Sequence, residues 1–174
     1  MYYTINMKMT GTKIAMYITV AVAAVIMISA IALCAAFPNK YARAVNDAAD
    51  EFGLDRSLVR SVVWAESGFD AHAVSEKGAS GLMQLMPETY EFCAASLGID
   101  KGDIFDKQNS LRCGCFYLAL MLDKFDGDET AALMAYNAGE ANARKFLAGE
   151  TVFKETATYV KKIRFARKVY GFFG

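Results

Sequence analysis

Glu66 stands in Trp64-Ala65-Glu66-Ser67-Gly68-Phe69-Asp70, at the end of an apolar stretch that reads as helix. A carboxyl there is raw material for a general acid. Val62 and Val63, four and three residues earlier, share its helix face. Against such a surface the charged form is disfavoured and the pKa rises. Taken alone, a helix-end glutamate is more commonly a solvated residue, although a carboxylate in a last turn opposes the helix dipole. Two later segments carry groups that suit a sugar. In Gly81-Leu82-Met83-Gln84, the glycine permits close backbone approach and Met83 offers an adaptable apolar surface. Gln84 adds one acceptor and two donors for hydroxyl or acetamido groups. In Ala135-Tyr136-Asn137-Ala138-Gly139 a flat ring adjoins a bidentate amide. Each segment by itself is equally an ordinary turn or packing unit, and Tyr159 alone reads as a helix-packing residue.

The elements that must position these groups are helices. Residues 40 to 52 repeat apolar positions at Tyr41, Ala44, Val45, Ala48, Ala49 and Phe52, closed by Gly53. Asp55 is an N-cap for a helix through Leu58, Val59, Val62 and Val63 that ends near Gly68, with Glu66 in its last turn. Residues 69 to 80 read as loop. Pro87 opens a helix to about Leu97, with Gly98 as its stop. A short loop through Asp100, Gly102 and Asp106 leads to a helix over about 109 to 125, with its stripe at Leu111, Cys115, Leu118, Leu122 and Phe125. Further helices are expected over 129 to 137, ending at Gly139, and over about 154 to 170. No sustained period-2 pattern appears, so the domain is expected to be all-α.

Ahead of this domain, Ile14 to Phe37 contains no charged residue. As a helix it is about 36 Å long, enough to span a hydrocarbon core of ~30 Å with some tilt. A cleaved leader has a shorter apolar region, and candidate cleavage sites such as Cys34-Ala35-Ala36 are followed by bulky Phe37 and Pro38. The expected organisation is a tail at 1–13, a transmembrane signal-anchor helix at 14–37 and a catalytic domain at 38–174. Lys8 and Lys13 before the span are nearly balanced by Lys40 and Arg43 after it, so charge alone barely favours an inside N-terminus. The 19 Lys and Arg balance the 19 Asp and Glu, which gives no electrostatic footprint for nucleic acid. Cys113 and Cys115, two apart on a helix, face about 200° from each other and cannot pair, although one of them could meet Cys93. Three cysteines and the lone His72 lack double-ligand spacing, so no metal is expected, and the thiols read as small buried hydrophobes.

The ordered set is more specific than any member. From about 40 to 170 the chain resembles the family 1 lytic transglycosylases, the Slt-type catalytic domain related to goose-type lysozyme. The resemblance rests on Ala65-Glu66-Ser67-Gly68-Phe69-Asp70, on Ala73-Val74-Ser75 and Lys77-Gly78-Ala79, and on Gly81-Leu82-Met83-Gln84-Leu85-Met86-Pro87. It continues through Asp106, Asn109 and Gly114 to Ala135-Tyr136-Asn137-Ala138-Gly139 and Tyr159-Val160. Ala71-His72 departs from the proline or asparagine of many relatives, in a tolerant loop.

The resemblance implies a lysozyme-like fold and non-hydrolytic cleavage of the β-1,4 bond between N-acetylmuramic acid and N-acetylglucosamine in a bacterial peptidoglycan strand, a carbon–oxygen lyase reaction without cofactor. Glu66 matches the single acid/base, and Ser67 the residue that supports it by hydrogen bonding. Met83, Gln84, Tyr136 and Asn137 match groove positions near the scissile bond, and Tyr159 matches the tyrosine facing the carboxyl. Such an enzyme works on the extracytoplasmic side of the cytoplasmic membrane. A lysozyme-type hydrolase would need a second carboxylate, for which only Asp70 or Glu76 volunteers. A non-catalytic glycan-binding module of an envelope-spanning machine is the reading from another class. The basic helix with Lys161, Lys162, Arg164, Arg167 and Lys168 reads mainly as a solvated face.

Overall fold

A computed structural model describes residues 11–99, 102–150 and 154–173. The expected tail at 1–13 therefore lies largely outside the described residues, as does Asp100 of the expected loop. The chain divides into two units, residues 1–37 and 38–174. In the first, α1 (Gly11–Ala36) is long and apolar enough to cross a membrane and buries none of its residues within the protein.

The second unit is helical: α2 (Ala42–Glu51), α3 (Arg56–Ser67), α4 (Pro87–Ser96), α5 (Lys107–Lys124), α6 (Glu129–Ala138), α7 (Glu140–Leu147) and α8 (Lys154–Phe173). Among the described residues the only β pairing is two isolated bridges, Val74 with Ser80 and Ser80 with Leu85. Three helix starts follow from side-chain caps. The Asp55 carboxylate accepts from Leu58 N at 2.8 Å, Asp106 from Gln108 N and Asn109 N at 3.0 Å, and Asp128 from Thr130 N at 2.8 Å. Each cap satisfies amide groups that have no partner within their own helix.

Helix α5 runs through the middle, packed against α2, α4 and α6, and α3 packs along α8. The central position explains why Cys113 and Cys115, on opposite sides of α5, are both fully buried: Cys113 joins Cys93, Tyr90 and Leu85 in a core cluster. The thiols are unpaired, and burial pushes Cys93 up to about 12 and Cys113 up to about 11. Val59, Val62 and Val63 of α3 are fully buried, as are Leu111 and Leu118 of α5 and Ile163 of α8. One helix, α7, went unread in the sequence because Gly139 signalled only a stop. In the structure Gly139 both ends α6, through its N–H to the Ala135 carbonyl, and opens α7.

Candidate active site

Glu66 lies in the last turn of α3, held there by packing of the turn before it. Its carboxyl is half-buried and lines a groove of about 700 Å³ together with Gln84, Tyr117, Tyr136, Asn137, Glu155 and other residues. That volume is within the range of small-ligand sites. Tyr159, reaching from α8, donates its hydroxyl to Oε1 of Glu66 at 2.5 Å. Burial raises the Glu66 pKa to about 7, while the Tyr159 hydrogen bond and the charge of Lys162 pull the other way. A carboxyl poised there is both a proton donor and a proton acceptor near neutral pH. Tyr136 and Tyr159 are held well above the ordinary phenol range by burial and by the charge of Glu66, so both stay neutral.

The sequence-derived residues separate by position. Glu66, Gln84, Tyr136 and Asn137 line the groove. Ser67, Met83 and Tyr159 stand behind it. The expectation that Met83 offers a sugar an apolar surface is corrected by its burial: the side chain is 0% exposed and packs on α5. A β-carbon at Gly114 would lie 2.3 Å from the Met83 sulfur, so the absence of a side chain at 114 makes room for it. Ser67, expected to hydrogen-bond the glutamate, donates instead to the carbonyls of Leu82 at 2.8 Å and Val63 at 3.2 Å. It therefore fixes the segment facing Glu66, not the carboxyl itself.

That segment is held carbonyl by carbonyl. The Gly81 carbonyl accepts from Gln84 Nε2 at 3.1 Å, the Leu82 carbonyl from Ser67, and the Met83 carbonyl from the Tyr136 hydroxyl at 2.8 Å. Gln84 Nε2 also donates to the Ala73 carbonyl at 3.0 Å. Both amide protons are thereby engaged, and Oε1 is the atom of Gln84 left for a ligand. The path needs Gly81 for two reasons: its φ is +78°, and a β-carbon would lie 2.5 Å from the Ile104 carbonyl oxygen. Gln84 itself has φ +47°, an uncommon conformation for a side-chain-bearing residue, kept by these bonds.

Two features, one on the groove and one beside it, escaped the sequence reading. Glu155 contributes a second carboxyl to the lining. Lys162 donates to the Ala65 carbonyl at 2.8 Å and lies 4.8 Å from the Trp64 ring centre, placing a cation at the carbonyl end of α3. Helical spacing after Tyr159 gave a faint sign of it, submerged in a run of basic residues. The two acids considered as water-positioning partners are elsewhere: Asp70 lines a separate cavity of about 530 Å³ with Tyr41 and His72, and Glu76 is exposed outside the groove. Among the described residues no group of three or more His, Cys, Asp or Glu is placed to hold a metal.

An all-helical domain with a half-buried glutamate on its groove has the architecture of the lysozyme-like fold class. The model for the transglycosylase SLT domain matches residues 43–158, about two-thirds of the chain, and the chain belongs to that family. The peptidoglycan transglycosylase gp16 of Escherichia phage T7 is 37% identical over 106 residues, 59% of this chain and 8% of the phage protein. The membrane-bound lytic murein transglycosylase C of Photorhabdus laumondii is 26% identical over 137 residues, 72% of this chain and 38% of the relative. Among solved structures, an inactive glutamate-to-glutamine mutant of the lytic transglycosylase Slt of Pseudomonas aeruginosa superposes with a TM-score of 0.73 at 29% identity, over 78% of this chain and 24% of that one. The 70 kDa soluble lytic transglycosylase of Escherichia coli gives 0.75 at 25% identity, over 81% and 25%. The chain thus spans less than two-fifths of the length of these relatives.

Proposed function

We propose that this protein is a membrane-anchored peptidoglycan lytic transglycosylase in which Glu66 acts alone as acid and then as base. The observation that carries this reading is the carboxyl of Glu66, half-buried on the groove, poised near 7 and held at Oε1 by Tyr159. With Oε1 taken, Oε2 is the oxygen left to face a glycosidic bond. The protonated carboxyl gives its proton to the glycosidic oxygen as the C1–O bond of the muramic acid breaks. The resulting carboxylate accepts the proton of the C6 hydroxyl, whose oxygen closes on C1. The product is a 1,6-anhydro end, Glu66 is returned to its starting form, and no water is consumed. The substrate's own acetamido group steadies the positive charge at C1.

Gln84 and Asn137 supply hydrogen bonds at the groove wall and Tyr136 a ring face; Ser67 and Tyr159 act by positioning. The inactive glutamate-to-glutamine mutant among the structural neighbours supports a glutamate being essential in an enzyme of this fold. Membrane anchoring is supported by α1 and by relatives described as membrane-bound. In this reading the catalytic domain lies outside the cytoplasmic membrane, where its substrate is.

A hydrolytic reading draws on Glu155, the other carboxyl on the groove. Digestion of purified peptidoglycan with the detergent-solubilised full chain separates the two. Anhydro-muropeptides, lighter by one water than reducing ends, are the expected products. Reducing ends would transfer the protein to the hydrolases, and a bound but intact glycan would make it a binding module.

A further inference from the structure

Among the described residues three charged side chains line the groove: the acids Glu66 and Glu155, and one cation, Lys77. Other basic groups whose charge reaches the lining are already engaged. Lys162, which acts on Glu66, donates to the Ala65 carbonyl, and Lys124, which acts on Tyr117, is paired with Glu140. Lys77 is exposed, and its side chain makes no ion pair or hydrogen bond among the described residues.

The side chain is free, but the backbone beneath it is fixed. Ser75-Glu76-Lys77-Gly78 form a four-residue turn closed by the Gly78 N–H on the Ser75 carbonyl at 2.9 Å. The turn is clamped by the Ser75 N–H on the Ala79 carbonyl at 2.9 Å and by the Ala79 N–H on Ser75 Oγ at 3.0 Å. Just before it, the Ala73 carbonyl accepts from the Gly81 N–H and from Gln84 Nε2, both at 3.0 Å. Lys77 is thus carried by the same piece of backbone that positions Gln84. An unpaired ammonium on a pinned turn, in a groove with two acids, is placed to receive an anion.

We propose that Lys77 is a specificity-determining residue that binds a free carboxylate of the stem peptide carried by muramic acid. The proposal rests on reading the groove as a peptidoglycan site. In that substrate the sugar rings are uncharged, and the anions sit on the peptide joined to muramic acid through its lactyl ether. A carboxylate that enters beside Glu66 and Glu155 is repelled unless a cation offsets them. A stem whose carboxylates are amidated gains nothing from Lys77. The groove therefore sorts strands by the charge of their stems. Lys77 acts on the peptide and not on the scissile bond, so its effect falls on KM with kcat unchanged.

The test compares peptidoglycan stripped of other anionic polymers with the same material after its carboxylates are amidated with carbodiimide and ammonia. The detergent-solubilised full chain should show a KM about three- to fivefold lower on the free-acid strands, the scale of an exposed ion pair. High salt should erase the difference. Lys77→Arg should keep it, Lys77→Gln should abolish it, and Lys77→Glu should favour the amidated strands. Equal melting temperatures of these variants exclude a folding defect. Co-sedimentation of the Glu66→Gln chain with the two insoluble materials should give the same preference without cleavage, which separates this proposal from the assigned reaction. Equal KM and equal retention on both materials overturn the proposal, as does a preference that survives in Lys77→Gln. A preference seen only before stripping overturns it in favour of the anionic polymer.

Discussion

The hydroxyl of Tyr159 donates to Oε1 of Glu66 at 2.5 Å across 93 positions of sequence, from the first half of α8 to the last turn of α3. The bond does two things to the carboxyl. It fixes which oxygen faces the groove, and it favours the ionised form against a burial effect that disfavours it. The balance leaves a group that can give and take the same proton.

Removing the phenol oxygen should tip that balance. In Tyr159→Phe the burial effect remains and the opposing hydrogen bond is gone, so the Glu66 pKa rises above 7. The alkaline limb of the pH–rate profile should move to higher pH, with a lower kcat because the carboxylate is less well held. Muropeptide release measured from pH 5 to 9 checks this. A limb that moves downward would mean that Tyr159 does not act on Glu66 through this bond.

Glu66→Gln keeps the shape and removes the titration. Glycan cleavage should fall by about 10²–10⁴-fold or more, the range associated with general acid–base groups. Stability should change in the opposite sense. A carboxyl raised from 4.5 to about 7 in the folded state contributes nothing adverse below pH 4.5 and destabilises progressively up to about 7. Above that the cost is constant, at most about 3.5 kcal/mol from ~1.4 kcal/mol per pKa unit. The glutamine protein should therefore melt with the native one near pH 4 and above it at pH 8. Equal melting temperatures throughout would place the carboxyl in a wetter environment.

How far the sequence showed this site depends on what each residue does. Glu66 was legible because its neighbours Val62 and Val63 and the later segments share one pattern, and helix boundaries followed from Asp55, Pro87 and the glycines. Met83 was misplaced because a sequence cannot say which side of a loop a flexible apolar chain takes; the room made at Gly114, 31 positions on, decides it. Ser67 was tied to the carboxyl only by the family resemblance, whereas its best acceptor here is the Leu82 carbonyl. Lys162 was hidden because its role depends on the packing of α8 on α3, which no local pattern carries. The acid that reaches the groove, Glu155, was overlooked for the same reason, in favour of acids nearer to Glu66 in sequence.

The close approach of α5 to the Gln84 segment predicts a sharp size limit. Gly114→Ala puts a β-carbon 2.3 Å from the Met83 sulfur and 2.6 Å from its Cβ. The flexible sulfur can move, but the Met83 Cβ is fixed to the backbone, so the segment must shift. A loss of about 1–3 kcal/mol is expected for such overpacking, together with reduced cleavage because Gln84 moves with the segment. Thermal melts and initial rates on the same preparation check both. Unchanged stability would show that the segment yields freely and is not a rigid wall.

The three thiols of the helical domain should be silent in the native protein, unlike the exposed Cys34 of α1. Cys93, Cys113 and Cys115 are each 0% exposed, and burial raises all three above the ordinary thiol range. Maleimide at pH 7.5 should leave them unmodified until denaturant is added, and then modify all three. Mass spectrometry of the labelled peptides counts them. Labelling of Cys93 or Cys113 before unfolding would reveal an opening between α4 and α5.

In the wall of the groove, adjacent carbonyls, those of Leu82 and Met83, are held by side chains from two different helices, Ser67 of α3 and Tyr136 of α6. Ser67→Ala and Tyr136→Phe each leave a partly buried carbonyl without its donor, which costs about 1–3 kcal/mol. Because both bonds constrain one peptide segment, the second loss should cost less than the first: once the segment is loose, it no longer holds the other bond in place. The double variant should therefore be destabilised by less than the sum of the singles, measured by denaturant unfolding. Activity should follow the same rule, since either loss lets Gln84 drift from its place. Strict additivity in both would mean that the two bonds act on separate elements and that Gln84 is positioned by its own amide bonds to Ala73 and Gly81 alone.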